Sequence, residues 1–183
     1  SLGRSERSTM FMVLLAVFKL LLARYSGQDD IIVGTPVANR NQPGQEGLIG
    51  FCVNVLSLRT DLSGNPSFRE LLHRVRDVCL GAFKHQDLPF GLLVQRLHPD
   101  RHLTHSPIFQ VQFALQAAGS DVISLPGLRL SAPFSEGSLS EELRNLIIQA
   151  TPATDHLFLT AMDSGANINL LMHYRSDLFD AST

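Results

Sequence analysis

The chain has 183 residues, 44% of them hydrophobic and 17% charged, which is enough apolar material for a core and too little charge for a disordered segment. Its 15 Lys and Arg against 17 Asp and Glu leave a net charge of −2, without the basic surplus of a nucleic-acid binder. Cys52 and Cys79 are far apart and fit no CxxC spacing, so a disulfide framework is not expected and a reduced, cytoplasmic setting is the default.

Residues 9–25, TMFMVLLAVFKLLLARY, predict a helix capped by Thr9 or Ser8, with Gly27 placed for a left-handed C-cap. It is apolar almost all round, the mark of a helix buried between layers. Its apolar run, Met10 to Ala23, contains Lys19 and falls short of the roughly 18 residues expected of a membrane span. No small-residue cleavage site follows, so the run does not read as a secretory signal. IIVGTPVA (31–38) predicts a strand and 39–47 a loop. IGFCVNVLSLRT (49–60) alternates as a long strand, with Phe51, Val53 and Val55 on one face and Cys52, Asn54, Leu56 and Leu58 on the other.

Ser67 and Glu70 have capping-box spacing at the head of a helix running to about Lys84, with Leu71, Leu72, Val75, Val78, Cys79 and Ala82 on its apolar stripe. His85-Gln86-Asp87 breaks that helix, and Asp87 can cap a short one from Pro89 to Leu97. A polar loop (98–106) leads to the strand PIFQVQFALQ (107–116). Leu125-Pro126-Gly127 is a turn before a short edge strand, Leu128 to Leu130, and residues 138–149 could form a short helix. HLFLTAM and NINLLMHY, joined through Asp163-Ser164-Gly165, predict a hairpin, and a last helix starts near Asp177. Helices and strands mix, so the expected class is α/β: a two-layer sandwich with a mixed β-sheet and flanking helices.

Several motifs have plain structural explanations. His73 and Asp77 show HxxxD spacing, but on a periodic helix that places them side by side on a solvated face. His98, Asp100, His102 and His105 contain zinc-ligand chemistry without a second cluster to complete it, and no metal site is expected. No GxSxG, GxGxxG or GxxxxGK[ST] occurs. Cys52 and Cys79 read as core thiols. Asn54 is harder to explain away. A carboxamide on an apolar face needs partners, either a neighbouring loop or a substrate in a channel. His85 and Gln86, in a helix break, are not accounted for by capping.

Taken in order, four segments resemble the condensation domain of nonribosomal peptide synthetases. RYSGQDDIIVGTPVANR (24–40) looks like the family's segment after its long apolar helix. IGFCVNVLSLR (49–59) resembles I/V-G-x-F-V-N-T, with Gly50, Val53 and Asn54 in register, Cys52 at the aromatic position and Val55 at the threonine. His85-Gln86-Asp87-Leu88-Pro89-Phe90 matches H-Q-D-x-P-F. RHLTHSPIFQV (101–111) resembles R-D-x-S-R-N-P-L-F-Q-V through Arg101, Pro107, Phe109 and Gln110, with His102, His105 and Ser106 replacing Asp, Arg and Asn. The closing YRSDLFDAST is also similar.

The resemblance implies a chloramphenicol acetyltransferase-like lobe, the C-terminal one of the pair that meets in a V. The family's catalytic HHxxxDG is absent from these 183 residues. That motif belongs to the N-terminal half, so no catalytic residue is expected here, and the whole of 1–183 is expected to be one lobe. The complete domain would join an acyl or peptidyl thioester to an aminoacyl acceptor. Both would arrive on phosphopantetheine arms of donor and acceptor peptidyl carrier domains, beside an adenylation domain, with no cofactor bound directly by this lobe and no nucleic acid or membrane partner. Asn54 is implied as a polar tunnel-wall residue, and His85, Gln86, Asp87 and Arg101 as lobe-contact or structural residues. Gly50, Phe51, Pro89, Phe90, Pro107, Phe109 and Gln110 complete the tunnel or structural motif positions. A binding or scaffold domain of the same fold, an epimerisation or cyclisation relative, and a standalone acyltransferase using His73 or His85 are the alternatives.

Overall fold

A computed structural model describes residues 2–40, 43–45, 47–97, 106–117, 123–125, 128–130, 155–163, 165 and 167–180. Thr9 accepts the amide of Met12 at the head of the long apolar helix, and Gly27, at φ 68°, closes its end by donating its N–H to the Ala23 carbonyl. A one-turn helix α1 (Leu2–Ser5) precedes this helix, α2 (Met10–Ser26). Strand β1 (Asp30–Val37) follows and pairs antiparallel with β2 (Asn54–Asp61), from Asp30 opposite Asp61 to Val37 opposite Asn54.

The Ser67–Glu70 capping box forms as the spacing predicts and starts α3 (Phe68–Lys84). After the break comes α4 (Phe90–Leu97), then β3 (Val111–Ala117), which runs parallel to β1 through Gly34 and Gln112. Short strands β4 (Ile123–Leu125) and β5 (Leu128–Leu130) pair with each other. The C-terminal hairpin is β6 (Leu157–Asp163) with β7 (Ile168–Tyr174), joined from Leu157 opposite Tyr174 to Asp163 opposite Ile168. The five longer strands form one mixed sheet in the order β2-β1-β3-β6-β7, the expected α/β class.

The chain divides into two compact units, Ser1–Phe113 and Ala114–Thr183. In the first, α2 packs on β1, α3 on β2, and the two helices on each other, a helix layer over a strand layer. Ile31, Val33, Leu56 and Leu58 on the strands and Leu15, Phe18, Leu71, Leu72 and Val75 on the helices are all buried. Phe113 meets Phe11 and Phe18 with ring centroids 5.4 and 5.9 Å apart. In the second unit, Leu159 and Ala161 alternate inward along β6.

Three expectations need correction. The strand expected from 49 begins only at Asn54, because β1 ends opposite that residue and, among the described residues, 49–53 have no strand to pair with. The strand expected from 107 begins at Val111, after bends. In place of a helix from Asp177, residues 176–178 make a turn in which the amides of Leu178 and Phe179 donate to the Arg175 carbonyl. The helix expected at 138–149 lies outside the described residues. Among the described residues, no helix is long and apolar enough to cross a membrane.

Candidate functional site

Several of the residues singled out in the sequence, Asn54, Phe90 and Phe109 with the 86–90 turn, come together at the start of β2. Asn54 is buried at the first position of the strand, on the face shared by Leu56 and Leu58. Its Nδ2 donates to the Gln86 carbonyl at 2.9 Å and to the Leu88 carbonyl at 2.8 Å, and its Oδ1 accepts the Phe90 amide at 3.0 Å. One carboxamide therefore closes the break between α3 and α4. The Phe90 N–H is one of the donors left over at a helix start, and Asn54 supplies its acceptor from a distant strand. Both donors and one acceptor position of the side chain are committed to main-chain groups.

Phe90 continues the cluster. Its ring meets that of Phe109 at 5.3 Å, and Phe109 is buried. Phe109 in turn lies over Gly34 so closely that a Cβ there would stand 2.6 Å from Phe109 Cζ. This close approach is why β1 carries glycine mid-strand. Four segments remote in sequence (β1, the head of β2, the 85–90 turn and the approach to β3) thus share one packed site. Of the other expected residues, His85 ends α3 by donating its amide to the Ala82 carbonyl. Gln110 Nε2 reaches the Ser106 carbonyl at 3.4 Å, and Pro107 is half-buried. Arg101 lies outside the described residues, as do His98, Asp100, His102 and His105. Among the described residues, no group of His, Cys, Asp and Glu could hold a metal ion.

Immediately before Asn54 the chain exposes an apolar strip. Leu48 is 57% exposed, Ile49 fully, Phe51 92% and Val53 44%. Gly50 sits within it with no atom near its Cβ direction. The strip is fastened at its other end by Arg40, whose Nη1 donates to the carbonyls of Gln45 and Leu48, each at 2.7 Å, and whose Nη2 donates to the Gly50 carbonyl at 3.2 Å. The sequence does not single out Arg40, because nothing local announces that its fork will gather three carbonyls.

Two further side chains carry unforeseen roles. Lys19 is fully buried, and its Nζ donates to the Leu58 carbonyl at 2.6 Å, to Thr60 Oγ1 at 2.7 Å and to the Ile31 carbonyl at 3.4 Å, tying α2 to β1 and β2. Burial pushes its pKa down to about 7. Burial also pushes the nearby Cys79 thiol up to about 11, which keeps it a protonated core group as expected. Cys52 is half-buried. His73 pairs with Glu6 at 2.8 Å instead of with Asp77, which instead meets Arg76 at 3.3 Å. Arg69 joins Glu6 at 3.0 Å. The His73 hydrogen bond, with Arg69 beside it, holds the Glu6 carboxyl below its ordinary range against the opposing effect of burial.

The profile of the condensation domain family matches residues 2–183. The chain belongs to the condensation domain family. It is 44% identical over 182 residues to malpinin synthetase of Mortierella alpina, of which it covers 2%. It is 39% identical over 182 residues to a chondramide synthase of Chondromyces crocatus, covering 4% of that protein. The chain therefore spans only a small share of the curated relatives it matches. Among solved structures it superposes with a TM-score of 0.77 on the X-domain from teicoplanin biosynthesis, at 23% identity, covering 98% of this chain and 39% of that one. A four-domain nonribosomal peptide synthetase gives a TM-score of 0.79 at 20% identity, with 98% of this chain and 14% of that one covered. These neighbours share the fold of this condensation-domain segment.

Proposed function

We propose that residues 1–183 act as the C-terminal lobe of a nonribosomal peptide synthetase condensation domain. The complete domain joins an acyl or peptidyl thioester to an aminoacyl acceptor, each delivered on the phosphopantetheine arm of a carrier domain, in the cytoplasm. The catalytic histidine is supplied by a second lobe carrying HHxxxDG. This chain supplies lobe contacts and part of the wall of the substrate passage, and neighbouring carrier and adenylation domains are its partners.

The observation that carries this reading is the exposed strip Leu48, Ile49, Phe51 and Val53. Apolar side chains gathered at one place on a surface mark an interaction site. The occupant is the N-terminal lobe, consistent with the 39% share of the X-domain chain that this segment covers. The test is sedimentation of this chain with a separately produced N-terminal lobe of the same synthetase. A one-to-one complex is expected, and Phe51→Asp should weaken it by about 100-fold, on the scale of an interface anchor. Failure of the parent chain to bind that lobe would refute the proposal.

A further inference from the structure

The apolar strip is unusual in being exposed and yet tied down at both ends. Exposed loops of apolar residues ordinarily fold back to hide themselves, and a loop that must be ordered on binding loses affinity to that ordering. Residues 48–53 have no strand partner among the described residues, since the β1–β2 ladder stops at Val37 and Asn54. What fixes them instead is side-chain chemistry. On one side, the Arg40 guanidinium collects the carbonyls of Gln45, Leu48 and Gly50. These are bonds from a rigid planar fork that a flexible ammonium would not reproduce. On the other side, Asn54 anchors the end of the strip to the 86–90 turn through three hydrogen bonds. Leu88, whose carbonyl is one of the three partners, is itself 45% exposed.

We infer that Arg40 and Asn54 are positioning residues that hold the strip Leu48–Val53, together with the 86–90 turn, in one preset conformation for docking the N-terminal lobe. This rests on the proposed function, and it assigns Asn54 an action through the turn and the strip. Both donors and one acceptor position of the carboxamide are already engaged by the main chain of that turn. The two clamps are independent. Arg40 acts on carbonyls within and just before the strip, and Asn54 acts on the segment to which the strip is joined.

The test pairs two variants with two readouts. Amide hydrogen exchange on the full chain reads the clamps without any partner. The Leu88 amide donates to the His85 carbonyl within the clamped turn and so reports its opening. In Asn54→Asp, which keeps the acceptor and loses both donors, the Phe90 amide stays protected while the Leu88 amide exchanges at least about 10-fold faster. In Arg40→Lys, the Leu48 amide, which donates to the Gln45 carbonyl in the loop that Arg40 gathers, exchanges faster and the core amides of β1 do not change. The second readout is affinity for the separately produced N-terminal lobe. Each variant should bind about 10-fold more weakly although neither residue is an apolar contact, the penalty expected when a preset loop must be ordered on binding. Leu88 and Phe90 moving together in Asn54→Asp, or equal protection of the Leu48 amide in Arg40→Lys, would overturn the inference. So would a parent that binds the lobe and variants that bind it equally well. A parent that does not bind at all, with the exchange pattern as expected, would instead remove the proposed function and the docking role while leaving the clamps in place.

Discussion

Lys19→Met removes an ammonium from the core and replaces it with a side chain of similar length and no charge. In the native chain Lys19 is fully buried, and its three acceptors span α2 to both strands of the first hairpin. Burial lowers its pKa from 10.5 to about 7, so the folded state holds this proton less tightly than the unfolded state does. Between those values the unfolded chain binds more protons, and stability must rise with pH. Each whole step of pH over which only the unfolded chain keeps the proton adds about 1.36 kcal/mol. About two such steps lie between pH 6 and pH 9, so the single group contributes about 3 kcal/mol of added stability across that range. The nearest coupled groups do not titrate in that window. Cys79 stands at about 11, and Asp30 is held below the usual carboxylate range by its hydrogen bonds from Arg59. The assay is urea unfolding of parent and variant at pH 6, 7.5 and 9. The variant lacks the titration, so the parent-minus-variant difference should move by about 3 kcal/mol in favour of the parent as pH rises. A difference constant to within a few tenths across the range would show that Lys19 keeps an ordinary affinity for its proton.

Gly34→Ala places a Cβ against the edge of Phe109 and should cost about 2 kcal/mol by overpacking, read from urea midpoints. In a Phe109→Leu background most of that cost should vanish, and additive losses would contradict the contact. Glu6→Gln removes the carboxylate that His73 and Arg69 share. Because the folded Glu6 pKa is depressed, its contribution is present above the ordinary glutamate range and is lost as pH falls. Parent and variant melting temperatures should therefore differ at pH 6 and converge near pH 3, and a gap that does not change with pH would contradict the pairing.

Much of the fold was legible because its signals are local. The Thr9 and Gly27 caps and the Ser67–Glu70 box each lie within a turn of the helix they define, and the structure places them as the spacing predicts. IGFCVNV was misleading because alternation describes how a strand would face, while a strand exists only where a ladder partner continues. Beyond Val37 that partner is gone. At the site, the sequence could say that Asn54 needed partners. It could not say that they would be the main chain 32 to 36 residues onward. Lys19 was visible as one charge in an apolar helix, but its acceptors lie on two strands brought together only by the fold. Arg40 and the Glu6–His73 pair were hidden for the same reason, since long polar side chains choose partners by tertiary position.

On the proposed function this chain is a necessary but non-catalytic lobe. The most direct measurement is intact-mass detection of amide product on an acceptor carrier protein. The donor thioester and aminoacyl acceptor would be supplied to this chain, to the HHxxxDG-bearing N-terminal lobe of the same synthetase, and to the two mixed. Product from the mixture alone, abolished when the second histidine of HHxxxDG is replaced by alanine, is the predicted result. Product from this chain alone, or none from a mixture shown to have formed the complex, would contradict it.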